Sequence, residues 1–385
     1  MQSKKTVLAL LLTCLSMAVG ADQPAAKPTD DIPSQEMNAI WKRGNAQPGN
    51  PQDRITHNAA ILADARKLLA DHPGMPPAAE SRDILARVVM LPAAERLYAA
   101  SPTAENREQL RQIATEVVKF PVYDSSVYGP SRKPVGAGKA RAGYVLAKLG
   151  IYPTPETKQP QDAGKQIRAM LELFPVRPDL KGSADVQAAA VVLAARLASE
   201  TKETELAEEL CKTIAEKHLA APEALDVLCQ AGHPAVFETE LTTLDGKKLS
   251  FPGDVKGKVV LLDFWATWCS PCKASLPHIK QLVEKYKDRE VLIVGVSCDS
   301  PVKEETLEAN RKKVIDFLAQ NGYSWTQTYS GEWPKAAAKY GIAAIPTVFL
   351  IDKQGRIISS KARGQEERLI DQELAKPATQ QPTGN

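Results

Sequence analysis

The spacing of apolar residues along the chain predicts two folded parts of different kinds. Between about residues 54 and 230, apolar positions recur at helical intervals, as at Ile61, Leu62, Leu68 and Leu69. After Gly232 the pattern changes to short continuous apolar runs, which indicate buried strands, separated by helical segments. The sequence therefore predicts an all-helical domain followed by an α/β domain.

The helical part shows no repeat clear enough to assign it to a repeat family. We predict a first helix that ends before Pro73-Gly74 and a long surface loop over 120–135, which is rich in proline and glycine. Further helices are predicted at 78–100, 104–119, 138–149, 163–174, 184–200, 203–218 and 222–230. We interpret 54–231 as an α-helical domain of unassigned family.

The α/β part begins with a predicted β-hairpin around the turn residues Asp245-Gly246. Two continuous apolar runs, 259–265 and 291–297, predict buried strands. The other predicted elements are the strands of the first hairpin at 236–243 and 248–250, helices at 276–286, 302–321 and 366–374, and a final hairpin at 347–351 and 356–360. This order predicts a central mixed sheet flanked by helices, with its first half parallel.

The amino terminus has the pattern of a secretory signal peptide over 1–21. Two lysines precede an apolar run over 6–19, and the small residues Gly20 and Ala21 follow it. We expect cleavage there and a periplasmic or otherwise extracytoplasmic protein. We favour this over an uncleaved membrane anchor, because the run is shorter than the ~20 residues that span a bilayer. A lipoprotein acylated at Cys14 is also disfavoured, because acylated cysteines usually follow a small residue and a threonine stands at that position here.

Composition defines the remaining segments. Residues 22–53 are rich in Pro, Gln, Asn and Ala and indicate a flexible leader, and 376–385 indicate a disordered tail. The α/β domain is therefore placed at 232–375. With 43% hydrophobic residues, 25% charged residues and a formal net charge of +3, the chain is typical of soluble globular proteins. A net charge this small does not indicate the strongly basic surface of nucleic-acid-binding proteins, so we expect no nucleic-acid partner.

A Cys-x-x-Cys motif follows the first buried strand, within the run Asp-Phe-Trp-Ala-Thr-Trp-Cys-Ser-Pro-Cys-Lys at 263–273. A strand that enters a turn and then a helix places Cys269 at a helix amino terminus, where backbone N–H groups and the helix dipole stabilise a thiolate. Cys272 lies in the same first turn, close enough to attack a mixed disulfide. A purely structural disulfide would close too small a loop to stabilise much, and a zinc site would need a second ligand pair. We therefore expect a redox pair with no metal and no cofactor.

These features resemble the thioredoxin superfamily, and more closely its secreted branch, the TlpA/ResA-like thiol-disulfide oxidoreductases. The resemblance covers about 232–374 and rests on the Phe-Trp-Ala-x-Trp-Cys-x-Pro-Cys run at 264–272, on Asp263, and on Ile345-Pro346-Thr347 before a strand. It implies a thioredoxin-like fold for the carboxyl-terminal domain, preceded by the all-α domain. It also implies redox chemistry on protein partners rather than on small metabolites.

The resemblance implies roles for the residues around the motif. Pro346, in the cis form, would place an unpaired backbone edge beside Cys269, where a substrate strand docks against Ile345, Thr347 and Trp268. Asp263 would exchange a proton with Cys272 during resolution. The alternative for Asp263 is a carboxyl group merely held by backbone donors. For the tryptophans of the motif, packing and recognition remain open.

Other candidate residues have weaker patterns. The position three residues beyond the second cysteine, often glutamate in the ResA-like branch, is Ser275. Cys298 ends the second buried strand, and we favour a buried apolar thiol there over a third redox thiol. Cys211 and Cys229, in adjacent predicted helices, form a possible structural disulfide. His278 is interpreted as a solvated helix-face residue rather than a catalytic one.

The sequence thus predicts a thiol-disulfide oxidoreductase in which Cys269 attacks and Cys272 resolves, with Asp263 and Pro346 as further catalytic residues. Resemblance to TlpA and ResA favours a reductant that acts on protein disulfides and receives electrons from a membrane partner. Two alternatives remain. One is a peroxiredoxin-like peroxidase, and the other is a binding or assembly protein whose helical domain carries the function.

Overall fold

The computed structural model describes residues 34–71, 85–119, 135–176, 183–221 and 223–376. The chain divides into two compact units, Met1–Leu210 and Cys211–Asn385. The predicted signal peptide and residues 377–385 of the predicted tail lie outside the described residues, as does almost all of the predicted loop at 120–135.

The first unit is helical. Its described helices are α1 Ser34–Asn45, α2 Pro51–Asp71, α3 Leu91–Ala100, α4 Ala104–Lys119, α5 Val135–Ile151, α6 Ala163–Glu172 and α7 Ser183–Glu200, with a π-helical turn Leu85–Met90 before α3. Neighbouring helices pack together because each buries an apolar face, and α7 is lined with buried alanines that allow close approach. No helix among the described residues is long and apolar enough to cross a membrane.

The prediction of a flexible leader over 22–53 is wrong for its second half. Helix α1 and the start of α2 lie inside that range. The polar composition of the segment led to the wrong prediction, although one of its few apolar residues, Ile40, is buried at 8% exposure. Polar contacts also fix the segment: Arg43 forms an ion pair with Asp64 of α2, and Arg96 Nη2 donates to the Gly44 carbonyl at 3.1 Å.

The second unit is built around one mixed sheet. After helix α8 Thr204–Lys217, which crosses the division between the units, come α9 Ala224–Gln230, β1 Thr239–Thr242, β2 Lys248–Phe251, β3 Val259–Trp265, α10 Ser270–Tyr286, β4 Val291–Ser297, α11 Leu307–Gln320, β5 Gln327–Tyr329, α12 Lys335–Lys339, β6 Thr347–Ile351, β7 Ile357–Ser359 and α13 Glu366–Ala375. β1 and β2 form a separate hairpin, and the main sheet has the order β5-β4-β3-β6-β7.

The central strand β3 organises the domain. It pairs in parallel with β4 and antiparallel with β6, and all seven of its residues are buried. The carboxyl ends of β3, β4 and β5 therefore reach the same edge of the sheet, as does the amino end of β6. Chemistry-bearing residues that follow those ends are brought together there.

The second unit begins earlier than the predicted domain boundary at residue 232. Helix α9 belongs to it because polar contacts and packing join the helix to β7 and the segment after it. The Cys229 thiol donates to the Ile357 carbonyl at 2.9 Å, and the Asp226 carboxylate accepts a hydrogen bond from Ser360 and pairs with Lys361.

Candidate functional site

The Cys269–Cys272 pair lies where β3 turns into α10. Cys269 is the N-cap residue of α10, and its Sγ accepts a hydrogen bond from the backbone N–H of Cys272 at 3.2 Å. Pro271 occupies the first helical turn, where its missing N–H costs nothing. The two sulfurs form a disulfide; Cys269 is 5% exposed and Cys272 is fully buried. The remaining exposure of the pair therefore belongs to Cys269.

The peptide bond between Ile345 and Pro346 is cis, as the resemblance implies. Thr347, the first residue of β6, pairs with Phe264 near the end of β3, so the cis turn lies at the same sheet edge as the cysteines. Ile345, Pro346 and Thr347 are half-buried, and the Thr347 hydroxyl donates to the Ala344 carbonyl at 2.7 Å. This internal bond orders the turn while leaving part of its surface accessible.

The two tryptophans of the motif lie in different environments. Trp265 is fully buried, and its Nε1 donates to Gln327 Oε1 at 3.0 Å. Gly295 of β4 makes room for that amide, because a Cβ there would lie 2.0 Å from Gln327 Oε1. Trp268 is 62% exposed and presents apolar surface directly beside Cys269. Trp265 therefore packs, and Trp268 is the tryptophan available for recognition.

Asp263 is buried on β3 without compensating hydrogen bonds. It is 1% exposed, and neither of its carboxyl oxygens has a hydrogen-bond partner within the described part of the chain. Burial, and to a lesser extent the negative charge of Glu366, raise its pKa to about 7, against an opposing effect of Arg363. This geometry lacks the backbone donors of the alternative interpretation. A carboxyl group with a pKa near neutrality can both accept and release a proton.

Asp299 is a site residue that the sequence analysis missed. It follows β4 and is 2% exposed. Its carboxylate accepts hydrogen bonds from the Thr267 backbone N–H at 3.1 Å, from the Thr267 hydroxyl at 2.5 Å and from the Ser297 hydroxyl at 2.8 Å. These bonds fix the turn that carries Trp268 and Cys269. The available signal was position, since an acid directly after a parallel strand faces the same edge as the motif.

The other three cysteines of the described residues are free thiols. Cys211 and Cys229 form no disulfide, which contradicts the possible structural disulfide expected from their adjacent helices. The reason is orientation, because the Cys229 thiol forms its hydrogen bond with β7. Burial, assisted by Asp226, raises the pKa of Cys229 to about 11.

Cys298 is 2% exposed, and burial, assisted by Asp299 and Asp263, raises its pKa to about 12. At neutral pH very little of such a thiol is ionised to the thiolate. This favours a buried apolar side chain over a third redox thiol.

Two residues on α10 complete the surroundings of the motif. Ser275, where a glutamate is usual in the ResA-like branch, donates its hydroxyl to the Cys272 carbonyl at 2.8 Å. The His278 side chain is 46% exposed, in agreement with a helix-face position, but its Nε2 also lies 3.7 Å from Oε2 of the buried Glu366. Among the described residues, no three His, Cys, Asp or Glu side chains are clustered as metal ligands.

Comparison with known proteins agrees with this geometry. The Redoxin family matches residues 230–375. The thiol-disulfide oxidoreductase ResA of Bacillus anthracis is 35% identical over 136 residues, which span 35% of this chain and 72% of that protein. The sporulation thiol-disulfide oxidoreductase A of Bacillus subtilis is 32% identical over 134 residues, covering 34% of this chain and 73% of its own.

Among solved structures, a thiol-disulfide oxidoreductase from Bacteroides fragilis shares 25% identity with a TM-score of 0.31, over 35% of this chain and 96% of that one. The family match covers the part of the chain that contains the Cys269–Cys272 disulfide. Through this carboxyl-terminal domain, the chain belongs to the ResA-like thiol-disulfide oxidoreductases of the thioredoxin superfamily.

Proposed function

We propose that this enzyme exchanges disulfides with protein partners outside the cytoplasm, with Cys269 as the attacking thiol and Cys272 as the resolving thiol. The observation that carries the proposal is the hydrogen bond from the Cys272 backbone N–H to Cys269 Sγ at the start of α10. That donor and the amino-terminal end of the helix dipole both favour negative charge on the Cys269 sulfur. Cys272 is buried behind it and has no comparable access to a substrate.

The reaction has two exchange steps. The Cys269 thiolate attacks one sulfur of the substrate disulfide, and the other substrate sulfur leaves as a thiolate. Cys272 then loses its proton to the ionised carboxyl group of Asp263 and attacks Cys269 Sγ. The Cys269–Cys272 bond forms as the bond between Cys269 and the substrate breaks. The substrate gains two electrons, and the enzyme ends in the disulfide form present in the structure.

The surface around Cys269 supports a polypeptide substrate. Trp268 offers an exposed aromatic face, and the half-buried cis turn at Ile345-Pro346 lies at the same sheet edge. An extended segment could bind there through main-chain hydrogen bonds. The extracytoplasmic location rests on the amino-terminal pattern of residues 1–21, and the reducing direction, with electrons from a membrane donor, rests on the resemblance to the TlpA/ResA-like branch.

The two cysteines should differ in reactivity in the reduced protein. We expect a thiol-alkylating reagent near neutral pH to modify Cys269 much faster than Cys272, because Cys269 holds the stabilised thiolate and the exposed surface. Mass spectrometry of peptides after timed quenching measures both rates. Cys298 provides an internal control for a buried thiol of raised pKa and should react slowest. Equal rates at Cys269 and Cys272 would contradict the assigned roles.

The activity is tested with a stoichiometric reaction. Reduced protein mixed with excess oxidised insulin should form two substrate thiols for each Cys269–Cys272 disulfide, and Cys298→Ser should behave like the wild type. A reduction potential near ~−270 mV would support a reductant, and one near ~−120 mV would contradict that direction.

Hydrogen peroxide should oxidise the reduced protein slowly. Rapid formation of a sulfenic acid at Cys269 would instead support the peroxidase alternative.

A further inference from the structure

Glu366 is a second buried acid in the region of Asp263, and the exchange mechanism described above does not use it. It lies in the first turn of α13, which packs against β3 and β6, and it is 4% exposed. Two buried carboxyl groups that interact cannot both ionise freely, because each negative charge opposes the other. The negative charge of Glu366 adds to the effect of burial in raising the pKa of Asp263.

Two features of its surroundings distinguish Glu366 from Asp263. The amino-terminal turn of a helix favours an anion, and Glu366 occupies that turn. His278 Nε2 lies 3.7 Å from Glu366 Oε2, which is an ion-pair distance when the imidazole is protonated. Asp263 has neither advantage: it lies in mid-strand, and its oxygens have no hydrogen-bond partner within the described residues.

The charged groups that shift the pKa of Asp263 are Glu366 and Arg363, whereas the buried Asp299 after β4 acts on the neighbouring Cys298. Its sheet neighbours are Gly295 on β4 and Val348 on β6. Cys298, at the end of β4, interacts with Asp263 but has a pKa raised to about 12. α10 contributes the buried Cys272, which is the proton donor in the reaction. Arg363, exposed in the segment before α13, acts in the opposite direction from Glu366.

We infer that Glu366 is a positioning residue of the exchange reaction, whose buried carboxylate keeps Asp263 basic enough to take the proton of Cys272 in the resolving step. The inference rests on the proposed function. The proton passes from Cys272 Sγ to an Asp263 carboxyl oxygen, the resulting thiolate attacks Cys269 Sγ, and the substrate sulfur leaves with the electron pair. Glu366 takes no part in the bonds made and broken in this step. It acts only through Asp263.

The test compares three charge-removing variants by two readouts. Infrared titration of the oxidised protein follows the carbonyl band of protonated Asp263, identified by its loss in Asp263→Asn. Glu366→Gln should lower the midpoint of this titration by about one pH unit, and the exposed Arg363→Gln should raise it. Glu367→Gln is the matched control, since Glu367 is the next residue of the same helix and pairs with Lys285 instead. Its midpoint should equal that of the wild type.

The second readout is stopped-flow fluorescence of reduced protein with excess oxidised insulin, where the plateau rate reports resolution. When the plateau rate is plotted against pH, the midpoint of its acid limb should move with the infrared midpoint. It should move to lower pH in Glu366→Gln and to higher pH in Arg363→Gln. An infrared midpoint unchanged in Glu366→Gln, or one that shifts while the acid limb of the plateau rate stays in place, would overturn the inference. If the wild type shows no exchange with insulin, the proposed function fails, while the infrared titration still decides whether Glu366 controls Asp263. If Glu366→Gln does not fold, Glu366→Met removes the same charge with an apolar side chain suited to the buried position and should lower the midpoint in the same way.

Discussion

Replacing Cys272 by serine is expected to convert a transient intermediate into a stable product. Cys269 would still attack a substrate disulfide, but the adjacent thiol that releases the adduct would be missing. With a protein substrate in excess, nearly all of the variant should accumulate as a covalent complex through Cys269, whereas the wild type should accumulate almost none. Non-reducing electrophoresis measures this difference. The complex should dissociate in dithiothreitol, because it is held by one disulfide.

The matched variants give this experiment its specificity. Cys269→Ser should form no complex and should lose exchange activity by roughly 10⁴-fold or more, as expected when an enzyme loses its nucleophile. Cys298→Ser in the Cys272→Ser background should still trap substrate, because the Cys298 thiol is buried and its pKa is raised. Complexes that form through Cys298, or an absence of complexes in the single Cys272→Ser variant, would contradict the proposed roles.

Elements with a strong local pattern could be predicted from the sequence. The continuous apolar runs gave β3 and β4 with the bounds that the structure shows, and β6 was also predicted in full. By contrast, β5 was missed, because its three residues, Gln327 to Tyr329, include two polar ones that only the sheet buries. Helix α12, with five residues, was missed because it is too short to show a helical period.

The same distinction holds for the site. Cys269, Cys272 and Asp263 could be identified because they lie within one short run of sequence, and the resemblance added Pro346. Asp299 offered only its position after a parallel strand as a signal and Glu366 offered none, because folding brings both residues to β3 from distant segments. An acid in a first helical turn is usually solvated, so nothing local distinguishes the buried Glu366 from its exposed neighbour.

Replacing Asp263 by asparagine is expected to remove a large pH dependence from the stability of the oxidised protein. In the folded state the pKa of Asp263 is raised to about 7, while an aspartate in an unfolded chain has a pKa of ~3.9. Between these values the folded protein holds a proton that the unfolded chain has released. The free energy of unfolding therefore falls as the pH rises from about 4 to 7, by about 4 kcal/mol from this group alone.

Asparagine cannot ionise, so this decrease should be absent from the variant. Its amide leaves polar atoms buried without good partners, which costs about 1–3 kcal/mol at every pH. Denaturant unfolding without reductant at pH 5 and pH 8 measures both effects, and the variant should become more stable relative to the wild type as the pH rises. Asp299→Asn is the contrasting control. It should lower stability at pH 8, because the donors on Thr267 and Ser297 lose a charged acceptor. If Asp263→Asn leaves the difference between pH 5 and pH 8 unchanged, Asp263 is ionised throughout that range and cannot serve as a base that titrates near neutrality.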